Sequence, residues 1–164
     1  MIALHKTSIR FDSAFCLLLA VSFLTIPVRI LFAWMTAVAV HELGHYLALV
    51  LCHIPVNAIR FGVSGADMQT RELTDVETLI CAFAGPTAGF LLLLGARWHP
   101  VTSVCGFIHS AYNLLPFSGH DGDRMMGAAC RLLFPGDNSL LIHNGIRVVV
   151  LLVAVSALLH ILFS

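Results

Sequence analysis

Residues 30–52 read ILFAWMTAVAVHELGHYLALVLC, an apolar run interrupted by one ionisable cluster, His41, Glu42 and His45. On a helix, His41 and His45 lie one turn apart on the same face, so both imidazoles reach a single metal ion, with Glu42 beside it. Ionisable side chains are costly in hydrocarbon, and where they occur they mark functional sites. A pair of helix-packing histidines would leave the neighbouring carboxylate unexplained, whereas a metal site with a carboxylate base accounts for all three residues.

Composition sets the surroundings of that run. Of 164 residues, 59% are hydrophobic and 11% charged, and the mean hydropathy is +0.92. So much apolar surface indicates an all-α polytopic membrane protein. Lys+Arg and Asp+Glu number 9 each, and no basic run is present, so nucleic acid is excluded as a partner. Cys16, Cys52, Cys81, Cys105 and Cys130 are widely spaced, form no C-x-x-C pair, and read as reduced packing residues.

About five transmembrane helices are expected, over residues 14–26, 30–52, 78–96, 101–115 and 146–163. A short polar start with Lys6 and Arg10 precedes the first, and no small-residue cleavage site follows it, so it reads as a span and not as a leader. No repeat or long linker divides the chain, which predicts a single transmembrane domain over residues 1–164. With the N-terminus in the cytoplasm, Lys6, Arg10, Arg60, Arg71, Arg124, Arg131 and Arg147 fall on that side, against Arg29 and Arg97 opposite.

Two segments between spans carry their own signals. In residues 56–70, Ile59, Phe61 and Val63 alternate with Arg60 and Gly62, a turn falls at Ser64-Gly65, and Ala66, Met68 and Thr70 continue the alternation. This pattern predicts a small membrane-associated β-hairpin, with an ordinary polar loop as the alternative because glycines weaken strands. An edge strand holds an unwound peptide through backbone hydrogen bonds, making Phe61 and Val63 candidate substrate-binding residues. Further on, Pro116, Gly119 and Gly122 break the fourth helix around Asp121, and freed backbone at membrane depth must be satisfied within protein or water.

A catalytic zinc takes three protein ligands, and H-E-x-x-H supplies two. His53, His109, His120, Asp121, Asp123 and His143 are candidates for the third, and spacing does not choose among them. Asn113 could donate a hydrogen bond to a developing oxyanion or bond its own backbone. His109, one turn earlier, could face the site or bond within the bundle. His160 suits an interface position. Cys81, Gly85 and Gly89 form a small-x-x-x-small ladder, with Pro86 inside it, that lets helices approach closely.

Asn113-Leu-Leu-Pro116, followed by Asp121-Gly122, resembles the N-x-x-P-x-x-x-x-D-G signature of the site-2 protease family of intramembrane metalloproteases, which also carry H-E-x-x-H on a transmembrane helix. Phe83-Ala-Gly-Pro86 is similar to that family's A-G-P element. The resemblance covers about residues 30–135, with the elements in the family order, and departs from the usual pattern at Gly89, Gly119-His120 and Asp123. It implies a three-helix metalloprotease core, Zn2+ held by His41, His45 and Asp121, and Glu42 as general base. It further implies hydrolysis of a peptide bond within or beside the bilayer, in a minimal core similar in size to the sporulation-protease branch. The expected partners are a membrane-protein substrate, the lipid bilayer and a regulatory membrane protein, and the expected location is a bacterial cell membrane, crossed several times. A non-proteolytic zinc-binding transporter or regulator is the alternative class. Retention of Glu42 argues against it, because metal binding alone needs no carboxylate there.

Overall fold

The computed structural model describes residues 7–63, 65–136 and 138–163. Lys6 and Ser64, used above for the charge balance and the hairpin turn, lie outside these residues. The H-E-x-x-H run forms α2, Val28–Leu51, preceded by α1, Ser13–Thr25. After it come α3, Asp75–Leu91, extended by a 3-10 turn at Leu92–Gly95, then α4, Pro100–Asn113, α5, Asp121–Leu133, and α6, Asn138–Phe163. A small sheet adds β1, Ser8–Phe11, β2, Ala58–Gly62, and β3, Gly65–Gln69.

Each expected apolar segment coincides with a helix, but the helices differ in length. α2, α3 with its 3-10 extension and α6 are long and apolar enough to cross a membrane. α1 and α4 have 13 and 14 residues, below the ~20 that a straight crossing takes. α5 was not expected. Its sequence is too polar for a hydropathy signal, yet Gly127, Ala128 and Cys130 bury one face of it. Asp121 therefore stands in the first turn of a helix, where a carboxylate is favourable, and not in a broken loop. α6 begins at Asn138 instead of near residue 146, because its polar first turns kept that stretch out of the apolar run.

The buried positions of α2 are Leu31, Ala33, Ala37, His41, Gly44, Ala48 and Leu49, a stripe dominated by small side chains that repeats at three- and four-residue intervals from Ala33 to Ala48. Small residues let helix backbones approach closely where hydrocarbon gives no hydrophobic drive for association. The first half of the stripe packs Ala33 and Ala37 on Cys105 of α4, and the second packs Ala48 and Leu49 on Cys81 of α3 and on Ile54 and Val56.

Helix ends follow local chemistry. α2 stops in a Schellman arrangement, with Ile54 N–H donating to Leu49 O at 2.9 Å and His53 N–H to Val50 O at 3.0 Å. His53 takes the left-handed conformation there, with φ 57°. α3 starts in a capping box: Thr74 accepts from Glu77 N–H at 3.3 Å and its own N–H donates to the Glu77 carboxylate at 2.9 Å.

The hairpin forms as expected, with β2 and β3 antiparallel, and β1 adds to it in parallel, placing β2 in the centre. Ile9 and Phe11 carry the alternation of a strand, but four residues beside a charged start gave too short a pattern to read. The edges of the sheet are consequently β1 and β3. Phe61 lies on the central strand with its ring stacked on Phe11 at 5.0 Å and against Phe15 at 5.9 Å.

Candidate metal centre

His41 and His45 sit one turn apart on α2, and Asp121 enters from the start of α5. One ligating atom from each lies within 4.8 Å of the others. Asp121 Oδ2 is 3.1 Å from His41 Nε2 and 3.2 Å from His45 Nε2, and the two Nε2 atoms are 3.1 Å apart. His41 and Asp121 are 2% and 6% exposed, so water does not compensate this crowding of polar atoms.

The donor set fits a metal ion. His45 Nδ1–H donates to the Cys81 carbonyl at 2.7 Å, which leaves a lone pair on Nε2 of the neutral ring, aimed at a carboxylate oxygen and at a second imidazole. Lone pairs converging in a buried site repel unless a cation lies between them. His41 Nδ1 is buried without a partner, so the Nε2 side of that ring supplies its interactions. The Cys81 carbonyl is the kind of outer contact that fixes the tautomer of a ligating histidine. Sequence reasoning gave Cys81 a packing role only, since no residue pattern reveals a backbone acceptor.

Two glycines make the geometry possible. A Cβ on Gly85 would collide with the ring of His45, and one on Gly122 would collide with the backbone of Leu114. The first lets α3 pass directly behind a ligand, and the second lets α5 begin against the end of α4, which fixes Asp121.

The other proposed ligands are engaged elsewhere. His53 forms the α2 turn. His120 Nδ1 lies 3.3 Å from the Tyr112 carbonyl, and Asp123 pairs with His143 Nε2 at 3.0 Å. His109 has both of its expected aspects: its ring centroid is 4.7 Å from that of His41, and it bonds within α4 to Asn113.

A cavity of about 920 Å³ opens over the centre, and its wall includes His41, Glu42, His45, Asn113, Val63 and Ala66. Val63 lines this cavity, while Phe61 is absent from its wall because its ring turns to Phe11 and Phe15. Glu42 adjoins the cluster without joining it, and its Oε1 accepts from Ala66 N–H of β3 at 3.4 Å.

The site-2 protease from Methanocaldococcus jannaschii superposes on this chain with a TM-score of 0.63 at 20% identity, over 84% of this chain and 74% of that one. The fold is that of a site-2 protease. No protein-family model and no curated protein matches the sequence. In this fold the H-E-x-x-H helix is α2 and the A-G-P helix is α3. The N-x-x-P-x-x-x-x-D-G stretch spans the end of α4 and the start of α5, so Asn113 and Asp121 reach the cavity from separate helices.

Proposed function

We propose that the chain is a zinc endopeptidase that hydrolyses a peptide bond of a membrane-protein substrate within or beside the bilayer. The observation that carries this reading is Glu42, a carboxylate on the cavity wall that adjoins a three-residue metal-capable cluster without being part of it. Tetrahedral bonds of ~2.0–2.1 Å to zinc hold ligand atoms about 3.3 Å apart, close to the 3.1–3.2 Å separations of His41, His45 and Asp121. The likeness to a site-2 protease supports the same reaction class.

A zinc ion held there supplies Lewis acidity to the scissile carbonyl and to the attacking water. Glu42 takes a proton from that water on its carboxylate and returns it to the departing amine. His45 is kept in register by the Cys81 carbonyl. Ala66 N–H points at Glu42 and therefore away from β2, and strand alternation puts the N–H of Met68 on the same free edge. An unwound substrate segment can pair along that edge, with Val63 near the hairpin tip. Met68→Pro removes one edge donor and is expected to slow cleavage without releasing zinc. Proline at Phe61 would instead disrupt the central strand.

In this reading the sheet and the α3 N-terminus face the cytoplasm. Arg10 and Arg60 lie on β1 and β2, and Arg71 and Arg131 pair with Glu77 and Asp75 at the start of α3, so these cations share one end of the bundle. Labelling of a cysteine placed at Gly65 from the periplasmic side would reject that orientation. Purified protein with zinc, incubated with single-span membrane substrates, should yield a cut product that chelation abolishes and added zinc restores.

A further inference from the structure

Asn113 stands at the end of α4 with its side chain on the cavity wall. Its Nδ2 lies 3.1 Å from the carbonyl oxygen of His109 and 3.2 Å from His109 Nε2. A carbonyl oxygen only accepts, so the atom facing it must be the amide nitrogen, which fixes the orientation of the amide. An amide nitrogen has two hydrogens, and His109 offers two acceptors, its own carbonyl and the Nε2 lone pair of its ring. Asn113 then has no donor left. Its Oδ1 is the polar atom that can meet a molecule in the cavity, and an oxygen there cannot stabilise an oxyanion. Of the two roles the sequence leaves open for Asn113, the bond to its own helix backbone is the one that forms.

His109 is in turn held on its other faces. Its ring meets His41 edge-on at 4.7 Å between centroids and Trp34 at 5.6 Å, which keeps Nε2 turned toward Asn113. Helical spacing explains the pairing, since residues four apart share a face.

We propose that His109 is a positioning residue that orients Asn113 as a hydrogen-bond acceptor, so that Asn113 Oδ1 receives a backbone N–H of the chain bound in the cavity. This rests on the endopeptidase reading for the identity of the bound chain, while the orientation of the amide does not.

The test compares His109→Phe, which keeps a ring against His41 and Trp34 but removes the acceptor, with His109→Gln, which restores an acceptor oxygen. With fluorescein-labelled casein as probe and zinc-loaded protein in detergent, His109→Phe should raise KM by about three- to tenfold, the scale of one lost hydrogen bond, and leave kcat within about twofold. His109→Gln should bring KM back toward that of the unaltered protein, and both variants should keep their zinc. Independently of cleavage, the side-chain amide protons of Asn113, followed by nuclear magnetic resonance in 15N-asparagine-labelled protein, should exchange with solvent faster in His109→Phe than in the unaltered protein.

An unchanged KM in His109→Phe, equal losses in both variants, or loss of zinc would overturn the proposal, as would equal amide exchange. Failure of the unaltered protein to cut casein would count against the endopeptidase reading, and the exchange measurement would still decide the role of His109.

Discussion

Asp121 and Asp123 stand two positions apart in the first turn of α5 and each faces histidine, yet their surroundings differ. Asp123 meets His143 of α6 at 3.0 Å, and Arg147, one turn further along that helix, lies at 3.9 Å from the same oxygen. A guanidinium is always charged, so the countercharge for Asp123 comes from the chain itself. Asp121 faces His41 and His45, and no lysine or arginine among the described residues pairs with it. A cation held between the converging Nε2 atoms and Asp121 would supply the countercharge that no lysine or arginine there gives. The comparison shows that a carboxylate and a histidine in contact do not by themselves suggest a metal site; the second imidazole is what sets the Asp121 cluster apart.

Exchanging the parts of the two clusters should expose that difference. The largest effect is expected for Asp121→Ala, which should lose most bound zinc and all cleavage, because two imidazoles remain where three protein ligands are needed. Zinc retention in this variant, measured on purified protein, would break the comparison.

A smaller loss is expected when the ligands stay and their support changes. Gly85→Ala places a methyl group against the His45 ring. Overpacking of that kind costs about 1–3 kcal/mol, and a displaced ligand ring weakens metal affinity by about 10- to 100-fold. Competition with a chelator of known zinc affinity reads this directly, and unchanged affinity would mean that α3 yields without disturbing His45.

The smallest effect belongs to the second cluster. His143→Ala removes a half-buried hydrogen bond between α5 and α6, worth about 0.5–1.5 kcal/mol, and should lower the unfolding midpoint while leaving zinc content unchanged. Zinc loss in His143→Ala would tie the two clusters together.

What was legible in the sequence follows from how local each signal is. The HELGH run, the apolar segments and the residue 56–70 alternation each rest on neighbours in the chain, and they led to α2, the apolar helices and the hairpin. Asp121 could be singled out by the family resemblance, but the contacts that engage its neighbours His120 and Asp123 elsewhere are with Tyr112 and His143, residues 8 and 20 positions away. α5 was missed because its polar residues keep it out of any apolar run, although its apolar and polar residues are segregated at helical spacing. β1 was missed because a parallel strand pairs with residues some fifty positions distant, Ser8 with Ala58. The backbone contacts at the site, Cys81 carbonyl to His45 and Ala66 N–H to Glu42, have no side-chain signature at all.

The central claim is that His41, His45 and Asp121 hold the metal while Glu42, beside them, moves the proton. Glu42→Gln separates the two roles, since the amide keeps the shape of the carboxylate but cannot take a proton. Zinc content and cleavage of a single-span substrate should be measured on the same purified sample. The expected result is about one zinc per chain with cleavage abolished. Loss of the zinc, or cleavage at a rate comparable to that of the unaltered protein, would contradict the account.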